Sequence, residues 1–249
     1  MFSPPLPRPD RPRITTFIHQ VPLPLGEGMD RPWQPFNFFQ GATPVVDEME
    51  SHASILMPGH SPHPPHAHGE EELLIAIEGE AETIISDGPT LEGARSERLQ
   101  PGDFAYYPPF QHHTIRNSHH SKITYLMFKW RTALAPPAGP LKTSVIRLGG
   151  VTARVEAEPF HARLLFEQPT AYLAKLHSHV SDLQPGAGYE PHADPYDVAI
   201  VVLAGKIETL GRVVEPLGVI FYAAGELHGM RNVGEEPARY LVFEFHGAP

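Results

Sequence analysis

The chain has 249 residues, of which 41% are hydrophobic and 19% charged, with a formal net charge of −10 and no cysteine. That balance is globular rather than disordered, and the length suits one large domain or two ordinary ones. The missing cysteines exclude disulfides, thiolate metal sites and cysteine nucleophiles, and they fit a reducing cytoplasm. An acidic chain without a basic cluster is a poor match for nucleic acid or an anionic membrane surface. No apolar run approaches the roughly 20 residues of a membrane span. The opening MFSPPLPRPDRPR lacks the apolar core of a secretory signal. Neither nucleic acid nor a membrane is therefore an expected partner. Its 29 Pro and 21 Gly suit short strands joined by turns, and its 16 His point to imidazole metal chemistry.

Residues 1–40 are rich in proline and carry no steady period. They read as an irregular arm laid over the surface, able to add an edge strand or reach a partner. From about residue 52, short β-rich runs alternate with turn residues: ASILM, LLIAIEG, AETIIS, FAYY and KITYLMFKW. The Pro/Ala-rich stretch 132–141 reads as a linker. After it come YLAKLHSHVSDL, YDVAIVVLAG, KIETL, GVIFYAA and ARYLVFEF. No long amphipathic helix is visible.

The two halves repeat. His113-Thr-Ile-Arg-Asn117 matches His228-Gly-Met-Arg-Asn232, and Tyr125-Leu-Met-Phe-Lys-Trp130 matches Tyr240-Leu-Val-Phe-Glu-Phe245. Pro58-Gly59 matches Pro185-Gly186, and Glu82-Thr83 after Gly79 matches Glu208-Thr209 after Gly205. Gly79 lies 34 residues before His113, whereas Gly205 lies 23 before His228, so the first copy holds eleven extra residues, placed in the loop 87–97. The reading is all-β: an arm over 1–40, a first barrel over 41–131, a linker over 132–141 and a second barrel over 142–249.

In a strand, residues two apart share a face. His66 and His68 can therefore grip one ion from one strand. Glu72 follows after a short turn, and His113 arrives from another strand. Three neutral imidazoles and one carboxylate leave a divalent ion with net charge +1 and one or two open positions. This ligand set suits Fe, Mn, Ni, Cu or Zn. Glu70 and Glu71 are rivals to Glu72. His60, His63, His112, His119 and His120 read as surface or supporting residues.

These residues resemble the cupin superfamily. Its first motif runs Gly, His-x-His, Glu, Gly, and here Gly59, His66-Ala-His68, Glu72 and Gly79 follow that order. Its second motif is matched by Gly102, Pro108, His113 and Asn117, with Phe110 standing where the family usually has Gly. The resemblance implies a bicupin, two tandem jelly-roll barrels, with the metal ligands at His66, His68, Glu72 and His113. By the repeat, the second barrel carries His192, Asp194, Val198 and His228 in those places. Its His192, Asp194 and His228 could form a 2-His-1-carboxylate site. Decay of the site is the preferred reading, and Asp197 could restore a carboxylate only by a change of register.

Other residues matched by the repeat are His52 with His179, Tyr107 with Tyr222, and Arg116 with Arg231. The histidines read as cavity-lining or satisfied strand residues, the tyrosines as core, and the arginines as outer-face residues.

Cupins host many chemistries. The resemblance implies, first, a metal-dependent oxidoreductase resembling the quercetin or gentisate dioxygenases. Behind it stand a decarboxylase, lyase or aminohydrolase, a sugar isomerase or epimerase, and a ligand-binding barrel without activity. A phosphosugar enzyme should aim Lys or Arg into its cavity, and none lies inside the first motif. Pairing of sheet edges makes a homodimer one expectation.

Overall fold

A computed structural model describes residues 12–20, 31–132, 139–150 and 158–247. Most of the N-terminal arm and the centre of the 132–141 linker lie outside the described residues. The described chain is all-β. Its first half runs β1 (Phe17–Gln20), β2 (Trp33–Gly41), β3 (Glu48–Leu56), β4 (Glu71–Glu78), β5 (Ala81–Ser86), β6 (Arg95–Leu99), β7 (Phe104–Tyr107), β8 (His112–Arg116) and β9 (Ile123–Arg131). Its second half runs β10 (Ser144–Ile146), β11 (Phe160–Gln168), β12 (Lys175–Leu183), β13 (Gly188–His192), β14 (Asp197–Ala204), β15 (Ile207–Thr209), β16 (Arg212–Val214), β17 (Gly218–Tyr222), β18 (His228–Asn232) and β19 (Ala238–His246).

Each half closes a six-stranded sheet against a smaller one. The first pairs β10-β7-β4-β9-β3-β2 with β6-β5-β8, and the second pairs β1-β17-β14-β19-β12-β11 with β13-β18-β15-β16. The outermost strands are exchanged between the halves. From the N-terminal segment, β1 adds to β17 of the second sheet, while β10, beyond the linker, adds to β7 of the first. The N-terminal segment also supplies β2, a nine-residue edge strand along β3.

Alternation along the strands builds three cores at once. In β4, Leu74 and Ala76 face into the first barrel with Tyr107, Ile115, Ile123 and Tyr125. Leu73 and Ile75 face outward, where they join Phe104, Phe128 and Trp130 in a cluster with Leu176, Val201, Phe221, Leu241, Phe243 and Phe245 of the second half. The two large sheets thus bury their outer faces together. The interior of the second barrel holds Val198, Ile200, Tyr222, Met230 and Tyr240.

The same alternation separates the rival carboxylates. Glu71 points into the contact between the halves and accepts from the hydroxyls of Tyr106 (3.0 Å) and Thr170 (2.8 Å) and from the Ala171 and Tyr172 amides. Its repeat partner Asp197 occupies the reciprocal place, accepting from the Ala224 amide at 2.8 Å with Thr43 beside it. Asp197 is therefore turned away from the cavity beside Val198, and no carboxylate replaces Glu72 there.

The eleven extra residues of the first copy do not form one loop. They lengthen a whole hairpin: the first copy spends six residues on β5, eight on its turn and five on β6, where the second spends three, two and three.

Candidate metal centre

Candidate ligands in the first barrel come from three places. His66 sits on an isolated antiparallel bridge to His113, held by His66 N–H to His113 O (3.1 Å) and His113 N–H to His66 O (3.0 Å). His68 follows two residues on, and Glu72 opens β4 opposite Tyr107. Ligand nitrogens of His66, His68 and His113 lie within 4.8 Å of one another. Glu72 Oε2 is 3.0 Å from His68 Nε2 and 3.3 Å from His113 Nε2. Each of the three rings turns its Nδ1 to a backbone carbonyl: His66 to His113, His68 to Glu70 and His113 to Gln111, at 3.2, 3.2 and 2.9 Å. Those contacts fix the ring orientations and leave the Nε2 atoms of His68 and His113 facing a carboxylate. Lone pairs of nitrogen and oxygen cannot face each other at 3 Å without a cation between them. A proton on His68 or a metal ion meets that need, so the donor set fits a divalent ion.

Electrostatics follow the same geometry. Burial pushes His66 down to about 4. For His68 burial works against charge, but the carboxylates of Glu70 and Glu72 outweigh it and raise the ring to about 9. Burial also opposes charge on Glu72, and His113, His68 and Lys129 overcome it, holding the carboxyl well below its ordinary range. His113 stacks on Tyr107 with ring centres 4.0 Å apart and planes 8° from parallel. The Tyr107 hydroxyl in turn bonds to Thr83. A cavity of about 260 Å³ opens on this cluster, with His52, His63 and Lys129 in its wall.

The second barrel keeps the frame and changes the donors. His228 stacks on Tyr222 (3.9 Å, 11°), whose hydroxyl meets Thr209 at 2.6 Å. His192 and His228 turn Nδ1 to the carbonyls of Glu190 and Glu226. Asp194 Oδ2 lies 3.5 Å from His192 Nε2 and 3.4 Å from His228 Nε2. Val198 lines the cavity, which measures about 270 Å³. The three polar groups do converge, but His192 is about half exposed, and no fourth donor stands at the Val198 position.

The family model for the cupin domain matches residues 53–129, which span the first barrel from β3 to β9. That match makes the first barrel a cupin domain. No curated protein matches its sequence. Solved structures match its fold over both halves. A Pseudomonas aeruginosa protein named for induction by glyoxylate superposes with a TM-score of 0.67 at 15% identity, covering 88% of this chain and 82% of that one. Protein Ylba of E. coli gives 0.65 at 14%, covering 94% and 92%. A Bacillus subtilis oxalate decarboxylase variant gives 0.62 at 14%, covering 94% and 78%. At these identities the likeness is one of fold. Among the described residues no helix is long and apolar enough to cross a membrane.

Several cupin cavity residues lie outside the motifs. Lys129 enters from β9 and sets its ammonium 3.6 Å from Glu72. No Lys or Arg lies inside the first motif, but that motif supplies only part of the wall, and this lysine comes from another strand. The signal was present as the Lys129/Glu244 mismatch in the repeat. His63 packs edge-on against His66 at 3.9 Å. His52 and His179 both line their cavities, and burial lowers each to about 4. Arg116 turns outward and pairs with Glu82 at 2.8 Å.

Proposed function

We propose that the first barrel holds one divalent transition metal through His66, His68, Glu72 and His113 and acts on a small oxyanion-bearing molecule. The supporting observation is the convergence of three carbonyl-oriented imidazoles and a buried carboxylate, of which His66, Glu72 and His113 line one cavity. A bound ion would supply Lewis acidity and, if redox-active, electron transfer. The protein's own share is positioning. Lys129 offers a cation to a substrate carboxylate or phenolate, since its partners Glu50 and Glu72 lie at 4.0 and 3.6 Å and neither contact is a tight pair. Trp33, Leu74, Ile115 and Met127 give the apolar wall that excludes water. Dioxygenase-like chemistry is the first reading. A decarboxylase or lyase is the second, favoured by Lys129, because an ammonium beside the site suits a carboxylate substrate.

One experiment tests the metal and the reaction together. Purified protein is analysed for bound elements, then supplied with small phenols, diketones and carboxylates while oxygen uptake and carbon dioxide release are followed. Oxygen uptake supports the first reading, and carbon dioxide without oxygen loss supports the second. No metal in the protein and no uptake on reconstitution would remove both.

A further inference from the structure

A second cluster of imidazoles lies in the other barrel, away from the residues aligned with the motif. β12 carries His177 and His179, two residues apart and so on one face. Glu244 of β19 lies directly opposite His177, and Glu167 of β11 faces it from the other side. Glu167, His177 and Glu244 thus form one rung across three neighbouring strands. Ligand atoms of His177, His179 and Glu244 all lie within 4.8 Å of one another. We propose that His177, His179 and Glu244 form a second divalent-metal site, opening on the cavity of the second barrel.

The surrounding contacts are those of a metal ligand set. Glu167 Oε2 accepts from His177 Nδ1 at 2.7 Å. That hydrogen bond assigns the proton to Nδ1 and turns the Nε2 lone pair inward, as a carboxylate–histidine pair does behind a metal. His177 Nε2 faces His179 Nδ1 at 3.0 Å, a hydrogen bond that an ion would replace. His246 Nε2 holds Glu244 Oε2 at 2.9 Å, and Tyr196 packs on the His246 ring at 3.8 Å. Two nitrogens and one carboxylate oxygen suit a borderline ion such as Zn, Co, Ni or Cu. His179 and Glu244 line the same cavity as His192, Asp194 and His228, so open positions of the ion would face whatever enters it.

The first barrel provides an internal control. At the same places in the repeat it has Glu50, His52, Lys129 and Arg131, with Gln40 for Glu167. There Arg131 pairs with Glu48 at 2.5 Å, and Lys129 lies 4.0 Å from Glu50. Two fixed cations repel a metal ion where the second barrel offers a carboxylate and an imidazole.

The test uses the full chain, stripped with chelator and titrated with Co(II). Bound metal is counted after dialysis, and the nitrogen count is read from Cu(II) spin resonance. The unsubstituted chain should bind one equivalent more than the His177→Gln, His179→Gln double variant. Glu167→Gln, at an exposed position, should weaken that equivalent about 10- to 100-fold. An unchanged count in the double variant overturns the proposal. So does loss of the same equivalent in His228→Ala, which assigns the ion to the motif-aligned group. If the double variant melts early, Glu244→Gln and Glu167→Gln decide by the same two readouts. His113→Ala keeps this failure apart from failure of the first-barrel reading: it should lose the first-barrel equivalent and keep this one.

Discussion

The two barrels share a frame and differ in what they hang on it. Both keep a tyrosine stacked on the histidine of the second motif, with its hydroxyl on a threonine. Both keep an asparagine that ties the motif down. Asn117 donates to Leu56 O and Ser121 O, and Asn232 to Leu183 O and Glu236 O. The cavities are of equal size, at about 260 and 270 Å³. What differs is the charge inside. The first barrel has Glu72, His68 and Lys129 where the second has Val198, Asp194 and Glu244. The frame is thus common to both copies, and the chemistry inside it is not. The frame is required twice, because each large sheet buries its outer face on the other.

The sharpest way to break this comparison is to give the first barrel the second barrel's residues. His68→Asp with Glu72→Val should abolish the proposed first-barrel metal and activity, leaving the melting temperature within a few degrees. Elemental analysis beside a thermal melt checks it. The reverse pair, Asp194→His with Val198→Glu, should add a metal equivalent in the second barrel if the frame alone positions the ligands. No gain would mean that the exposure of His192 also matters.

The next effect is on stability and has no counterpart in the first barrel. Asp182 and Arg239 form a buried two-point pair at 2.7 and 2.8 Å across β12 and β19. The equivalent residues are Ile55 and Thr124. Asp182→Ala strands a buried guanidinium and should cost about 3–5 kcal/mol, read from denaturant unfolding. An Asp182→Ile, Arg239→Thr chain, which copies the first barrel, should recover most of that loss.

Asp197 gives a smaller and pH-dependent effect. Burial raises its carboxyl to about 6 from an ordinary value near 3.8. A folded-state value above the unfolded one means that folding favours the protonated form. Its stabilising share is thus complete below about pH 4 and lost as pH climbs through 6. Two pH units correspond to roughly 3 kcal/mol. Asp197→Asn should therefore be the more stable chain at pH 7, and the gap should close toward pH 4. An equal gap at both values would show that the carboxyl is ionised throughout.

Much of this was legible in the sequence because duplication wrote it twice. Matched runs at His113–Asn117 and His228–Asn232 gave the repeat, and the two-residue spacing of His66 and His68 pointed to one shared site, although the structure sets His66 on an isolated bridge and His68 just beyond it rather than both on one strand. Other features were hidden for physical reasons. β2 contains Pro35 and β6 is mostly exposed and charged, so neither shows an alternating apolar pattern. Exchange of β1 and β10 between the sheets is a long-range pairing that no local pattern encodes. Glu71 stood as a rival to Glu72, and Asp197 as a substitute only by a change of register, because sequence shows neighbours along the chain and not which face they take.

The smallest effect concerns two turns in which each barrel has made the opposite compromise. Both turns need a left-handed backbone. At the first, the first barrel has Gly102 (φ 91°) and the second has Leu217 (φ 70°); at the second turn, the first barrel has Phe110 (φ 64°) and the second has Gly225 (φ 85°). The hydrogen bonds are the same in both copies: Gly102 and Leu217 donate to Ala76 O and Val202 O, and Phe110 and Gly225 to His68 O and Asp194 O. The φ values are therefore imposed by the frame and not chosen by the residue. A left-handed non-glycine costs about 1–2 kcal/mol, against the roughly 0.5–1 kcal/mol that a glycine costs through the freedom of its unfolded chain. Phe110→Gly, at an exposed position, should stabilise the chain by about 0.5 kcal/mol, whereas Leu217→Gly should gain nothing, because Leu217 packs on the Ala53 and Ile55 cluster and that contact goes with the side chain. Phe110 also packs near Gly69, between His68 and Glu72. A metal affinity that moves with Phe110→Gly but not with Leu217→Gly would show that the phenylalanine helps seat the first-barrel ligands, a use that would account for its place at a glycine position.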